Sequence, residues 1–220
     1  MSLFLLDALI NLNFYVSLKF GYYPYYNELL PLYYQRVEEV INMIIEVEIP
    51  LLRGVDIAYV NKLKQLLLIL SESVPFVPNI SKLSERIGIT RNSLLTYLHA
   101  LQDSGLTYHL NKDSFGITRL QKPDKIYLEN TNLMYALGAS KVDTGALRET
   151  FFANQLKYRH QLTMSAQSDF LIDGKQTVEV GGKDKGYHQL AGLDNAFIAA
   201  DDIEYGHESK IPLWMFGFLY

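Results

Sequence analysis

Two short β-like runs near the carboxyl end, DFLI from Asp169 and TVEVGG from Thr177, constrain this chain more than any other feature. The Gly174-Lys175 pair between them marks a turn, so the stretch reads as a β-hairpin. Asp169 opens the first run and Glu179 sits inside the second, which places both acids near one sheet edge. Two carboxylates held that way are hard oxygen ligands of the kind Mg²⁺ or Mn²⁺ prefers. The same residues also fit a metal-free arrangement, with Asp169 bonding backbone amides at a strand start and Glu179 paired to a nearby lysine.

The rest of the chain divides by pattern into three segments. Residues 1–73 read as helical. Val37, Val40, Ile41, Ile44 and Ile45 recur at helical spacing in YYQRVEEVINMIIEV, and Pro50 is expected to end that helix. YVNKLKQLLLIL from Tyr59 repeats the pattern. Seven tyrosines (Tyr15, Tyr22, Tyr23, Tyr25, Tyr26, Tyr33 and Tyr34) crowd the amino end, where they are expected to line a helix-packing seam or a subunit interface.

Residues 74–122 have the layout of a helix-turn-helix, ISKLSERIGITRNSLLTYLHALQDSGL. Ser81 is the expected cap of the first helix, Gly88 makes the turn, and Thr90 caps the second. Leu94, Leu95, Leu98 and Leu101 face inward, and Gly105 ends the helix. LTYHLNKDSFGI then reads as two strands around a turn at Asn111-Lys112-Asp113-Ser114, the wing of a winged helix. On that layout Arg91, Asn92, Ser93 and Thr96 point outward from the recognition helix and Lys112 sits on the wing, so these five are the candidate DNA contacts.

Residues 123–220 read as α/β. KIYLEN is a strand, Thr131 to Leu137 a short helix, and ALRETFFANQLKYRH an amphipathic helix with Leu147, Phe151, Phe152 and Leu156 on its apolar side. The hairpin follows, then the glycine- and lysine-rich GGKDKGYHQLAG, the strand NAFIAAD, and a buried strand or helix in KIPLWMFGFLY. The expected class is therefore α+β and multidomain: a helical segment, a winged helix-turn-helix, and an α/β domain.

Charge separates the segments. Residues 79–125 carry seven basic against four acidic side chains, whereas the chain as a whole has a net charge of −4. Nucleic-acid contact is thus expected from the middle segment alone. There are no cysteines, which fits a reducing cytoplasm and excludes thiolate metal sites. His99, His109, His160, His188 and His207 lack the spacing of a zinc site. No GxxxxGK[ST] loop occurs, so this chain by itself is not expected to bind ATP. MSLFLLDALI lacks a basic start and carries Asp7, and no run approaches the roughly 20 apolar residues of a membrane span. A soluble, cytoplasmic protein is expected.

The hairpin resembles the D…(D/E)xK signature of the restriction-endonuclease-like nucleases. It departs at the lysine: Gly181 stands two residues after Glu179, and Lys183 arrives two residues late. The resemblance implies a helix glutamate, Glu149, completing a metal site with Asp169 and Glu179, with Lys183 (or Lys185) reaching back to position the attacking water. In combination, the GYYPYY and YYQRVEEVINMIIEVEIPLL segments, the helix-turn-helix, KPDKIYLENTNLMYAL and RETFFANQL…DFLIDGK…VEVGGK resemble the region that follows the nucleotide-binding core in a group of prokaryotic AAA+ ATPases. That resemblance implies a lid, a winged helix and an endonuclease-like domain, with the ATPase core as partner and DNA or a protein as target. Gly181 favours a domain retained for binding. A Mg- or Mn-dependent endonuclease and a homo-oligomerising structural module are the alternatives.

Overall fold

The computed structural model describes residues 14–21, 23–27, 29–112, 122–138 and 142–219. Helices and sheet are mixed, an α+β arrangement. Residues 14–20 are helical, and two short 3-10 turns, Pro24–Asn27 and Leu30–Leu32, lead into helix α1. This helix starts as Tyr33–Met43, widens into a π-helical stretch at Ile44–Glu48 and continues as Ile49–Arg53. Pro50 does not end it, contrary to the expectation. Proline lacks the N–H of the normal ladder and its ring crowds the carbonyl four residues back. The wider turn before it, where the Ile49 N–H bonds to the Ile44 carbonyl, lets the helix pass. Gly54, with φ at 63°, ends it instead.

Helix α2, Val60–Ser71, packs on α1 and continues the apolar stripe read from the sequence, with Leu63, Leu66, Leu67 and Leu70 buried. Helices α3, Ile80–Ile87, and α4, Arg91–Asp103, follow around Gly88, whose φ of 73° makes the turn. Thr90 caps α4 as expected, accepting from the Ser93 N–H at 3.1 Å. The cap of α3 is Asn79, which accepts from the Lys82 N–H at 3.1 Å. Ser81, the expected cap, lies within the first turn.

Strand β1, Thr107–Leu110, pairs antiparallel with β2, Lys125–Leu128. The sequence read KIYL as the first strand of the α/β part; it is instead the partner of TYHL. The second wing strand expected at Phe115–Ile117 lies outside the described residues. Phe76 bridges to Ile126 with two backbone bonds of 2.8 Å, so β2 is central between Phe76 and β1. Helix α2 packs on β2 and α3, which ties it to this unit rather than to α1 alone.

Helices α5, Thr131–Ala136, and α6, Thr144–Leu156, lead into a five-stranded sheet. Its strands are β3 (Leu162–Met164), β4 (Phe170–Ile172), β5 (Gln176–Gly181), β6 (Ala196–Ala200) and β7 (Lys210–Pro212), in that spatial order. The first three run antiparallel and the last three parallel. Strand β3 was not read from the sequence; unlike β4, it is not followed by a tight turn into a second β-like run. The turn between β4 and β5 is centred on Asp173 and Gly174, both with positive φ, one residue earlier than the expected Gly-Lys pair. Asx and glycine residues tolerate that conformation best. The crossover from β5 to β6 carries only the 3-10 turn Tyr187–Leu190. The carboxyl end closes as β7 and a 3-10 turn, Leu213–Phe218, that packs on α6.

Buried apolar residues from Phe14 to Phe216 form one continuous cluster that crosses all three sequence segments. A polar seam runs through it. Fully buried Tyr33 donates to the Phe20 carbonyl, Asn132 Nδ2 donates to Tyr33 Oη at 2.8 Å, and Asn154 Nδ2 donates to the Glu129 carbonyl at 2.6 Å. Amino-end aromatics join the packing seam: Phe20 meets Tyr33 and Tyr33 meets Tyr34 edge to face, and Tyr34 stacks on Tyr135.

Gly21 sits against this seam at φ 62°, and a Cβ there would meet Asn130 Oδ1 at 2.5 Å. Gly21→Ala is therefore expected to destabilise the chain by about 2–4 kcal/mol, combining left-handed strain with a buried clash. Chemical denaturation checks this; a midpoint equal to wild type would show that the seam yields freely.

Candidate functional site: a lysine-bridged carboxylate centre

The hairpin register brings the acids together. Phe170 pairs with Val178, so one step further along Asp169 stands opposite Glu179. Both are held from within: Asp169 Oδ2 accepts the Val180 N–H at 2.9 Å, and Ser168 Oγ lies 2.8 Å from Glu179 Oε2 and 2.6 Å from the Val178 carbonyl oxygen. Glu179 is buried in the middle strand of the sheet.

Glu149 arrives from α6, as expected, and its Oε2 accepts from the Tyr127 hydroxyl at 2.8 Å. Lys125 Nζ stands between two of the acids, 3.5 Å from Glu149 Oε2 and 3.7 Å from Asp169 Oδ1. Both Lys125 and Tyr127 come from β2, in the other sheet. Alternation along a strand sends residues two apart to the same face, which is why both reach the centre.

Like charges so close raise the cost of ionisation. Burial, then the Glu149 charge, push the Asp169 carboxyl up to about 6, against the lowering effects of the Val180 amide and Lys125. Burial and the Glu149 carboxylate likewise push the Tyr127 hydroxyl far up, so it stays a proton donor. The Lys185 ammonium is raised by its bond to Glu179.

The lysine on Glu179 is Lys185, which contacts Oε1 directly. Lys183, the expected helper, is exposed, and its backbone carbonyl accepts from Lys210 Nζ at 2.6 Å. Gly181 explains the exchange. A Cβ at Gly181 would lie 2.9 Å from Lys185 Cγ, so the missing side chain is the space through which the Lys185 stem passes. Gly182 similarly lies under Arg148, whose guanidinium binds Asp201 at 2.8 Å and Asp202 at 3.1 Å. The Gly-Gly pair that replaces the expected motif lysine is thus the floor beneath two basic side chains.

A divalent ion needs several hard oxygens converging at about 2.0–2.6 Å. Among the described residues no three His, Asp or Glu side chains are placed to share an ion. The acids have the right chemistry, but in this arrangement their oxygens answer to Lys125, Lys185, Tyr127, Ser168 and the Val180 amide. The expected Mg²⁺ or Mn²⁺ site at Glu149, Asp169 and Glu179 does not fit the geometry as it stands. Lys125, Tyr127 and Ser168 were missed because a lone residue more than 20 positions from its partner (or a serine beside an acid) leaves no periodic signal.

Of the candidate DNA contacts, Arg91, Asn92 and Thr96 are exposed, Ser93 is half-buried, and Lys112 is exposed two residues after the end of β1. Lys82, Arg86 and Lys122 are exposed as well. None of these five basic side chains forms an ion pair among the described residues. Asn92 and Ser93 are partly engaged locally, through the Asn92 carbonyl with Thr96 and through Ser93 with Thr90.

No family model, curated protein or solved structure matches the chain. Among the described residues, no helix is long and apolar enough to cross a membrane.

Proposed function

We propose that this chain is a nucleic-acid-binding accessory region, with a winged helix as the binding element and an endonuclease-like α/β part retained as scaffold. Its partner on this reading is the nucleotide-binding core of an AAA+ ATPase. The observation that carries the proposal is the order of elements around β2. A helix (α2), a bridging strand residue (Phe76), two helices around a glycine turn (α3, α4) and two antiparallel strands (β1, β2) follow in the sequence of a winged helix, with β2 central. The five exposed basic residues Lys82, Arg86, Arg91, Lys112 and Lys122 lie on these elements or beside them and form no ion pair among the described residues.

The binding of a labelled DNA duplex, read by fluorescence anisotropy across a salt series, tests it. Wild type is expected to bind with a steep salt dependence. Arg91→Ala combined with Lys112→Ala is expected to weaken binding roughly tenfold or more and to flatten the log–log slope by about 0.9 per lost phosphate contact. Salt-independent binding, or none, would remove the proposal.

A second reading, a Mg²⁺- or Mn²⁺-dependent DNA endonuclease, has one specific observation in its favour: Lys185 sets an ammonium on Glu179 although Gly181 occupies the motif position. It requires Lys125 to give way. Supercoiled plasmid with Mn²⁺ separates the two. Nicking that disappears in Glu179→Ala would establish the enzyme; the binding reading expects intact plasmid with either protein.

A further inference from the structure

We propose that Lys125 is the resident cation of the carboxylate centre, holding the place that a divalent metal would take among Glu149, Asp169 and Glu179. This goes beyond the DNA-binding reading and does not depend on it. The argument starts from charge. Three carboxylates with side chains 5–17% exposed cannot rely on water to screen them from one another. Lys185 forms its ion pair with Glu179. Glu149 and Asp169 are left facing each other, and among the described residues the ammonium within 4 Å of both is that of Lys125. Its own side chain is only 16% exposed, so its charge too is held by the protein rather than by solvent.

Backbone pairing fixes Lys125 in place. It opens β2, in register with Leu110, and its neighbour Ile126 is bonded on the other edge to Phe76. The ammonium is therefore delivered from the two-stranded sheet into the five-stranded sheet's hairpin, with the Met164 N–H to Asn111 carbonyl bond of 2.8 Å linking the two sheets nearby. A metal entering this space would meet a fixed positive charge at under 4 Å from two of its three ligands. Asp169 Oδ2 also already accepts the Val180 N–H, and Glu179 Oε1 already contacts Lys185. The centre is built to be neutralised by lysine.

Mn²⁺ binding to the full chain tests this, read by loss of the free-ion electron paramagnetic resonance signal and by the melting temperature with and without Mn²⁺. Wild type and Lys125→Arg are expected to take up no Mn²⁺ at sub-millimolar concentration and to melt unchanged. Lys125→Met and Lys125→Gln are expected to melt lower without metal. Both should bind one Mn²⁺ at least tenfold more tightly than wild type and recover melting temperature with it. Adding Glu149→Gln to Lys125→Met should remove that uptake. Wild type binding Mn²⁺ as well as Lys125→Met would overturn the proposal. So would neutral variants that fold without gaining a site, or that fail to fold and are not recovered by Mn²⁺.

Discussion

Lys157→Met is expected to destabilise the chain by about 3–5 kcal/mol, the usual consequence of stranding one member of a buried ion pair. Glu129 is buried at the head of α5, where its carboxylate Oε1 accepts from Lys157 Nζ and from the Tyr158 hydroxyl, the latter at 2.9 Å. Lys157 also packs over the rings of Tyr108 and Tyr158, at 5.3 and 4.8 Å from their centroids. Burial pushes the Lys157 ammonium down, and Glu129 opposes that shift, so each charge is tolerated only because of the other. Methionine keeps the stem's packing and removes the charge, leaving Glu129 in a site with one hydroxyl for compensation. Glu129→Gln with Lys157→Met should recover most of the loss, since an apolar or neutral pair of similar volume avoids the desolvation cost on both sides. Urea denaturation of both variants checks this. A single variant within 1 kcal/mol of wild type would mean that water reaches Glu129.

The second large effect has the opposite sign. Asp169→Asn is expected to stabilise the chain at pH 7.5 by an amount on the order of 2–3 kcal/mol, from a carboxyl raised to about 6 in the fold against an ordinary value near 3.8. A raised folded value means that the wild-type carboxyl costs nothing below about pH 4, where it is protonated in both states. Its contribution is lost as the pH rises through 6, where the folded chain must hold a charge facing Glu149. Asparagine keeps an oxygen for the Val180 N–H and carries no charge. The gap between variant and wild type should therefore be near zero at pH 4 and full above pH 7, in paired denaturation curves. An equal gap at both pH values would show that packing, not charge, separates them.

The local features of this chain were legible because each is set by residues within a few positions. Thr90 caps α4, Gly88 turns the chain, and Leu94, Leu98 and Leu101 face the core, because capping and helical period act over three or four residues. The hairpin that sets Asp169 opposite Glu179 was legible for the same reason, through two β-like runs joined by a tight turn. Pro50 shows where a local rule fails. Its effect on α1 is cancelled by a π-helical stretch that no propensity encodes.

Residues far apart in sequence were decided by packing alone. Lys125 lies 24 positions from Glu149 and 44 from Asp169, and reaches both because β2 pairs with β1 rather than joining the larger sheet. Lys185 replaces Lys183 on Glu179 because the bare backbone of Gly181 opens a path over the strand, a matter of tenths of an ångström. The sequence alone determined which elements form and that two acids share a hairpin. The tertiary structure decided which cations neutralise them, because a charge pair leaves no period in the chain and its partner is fixed only when whole sheets pack.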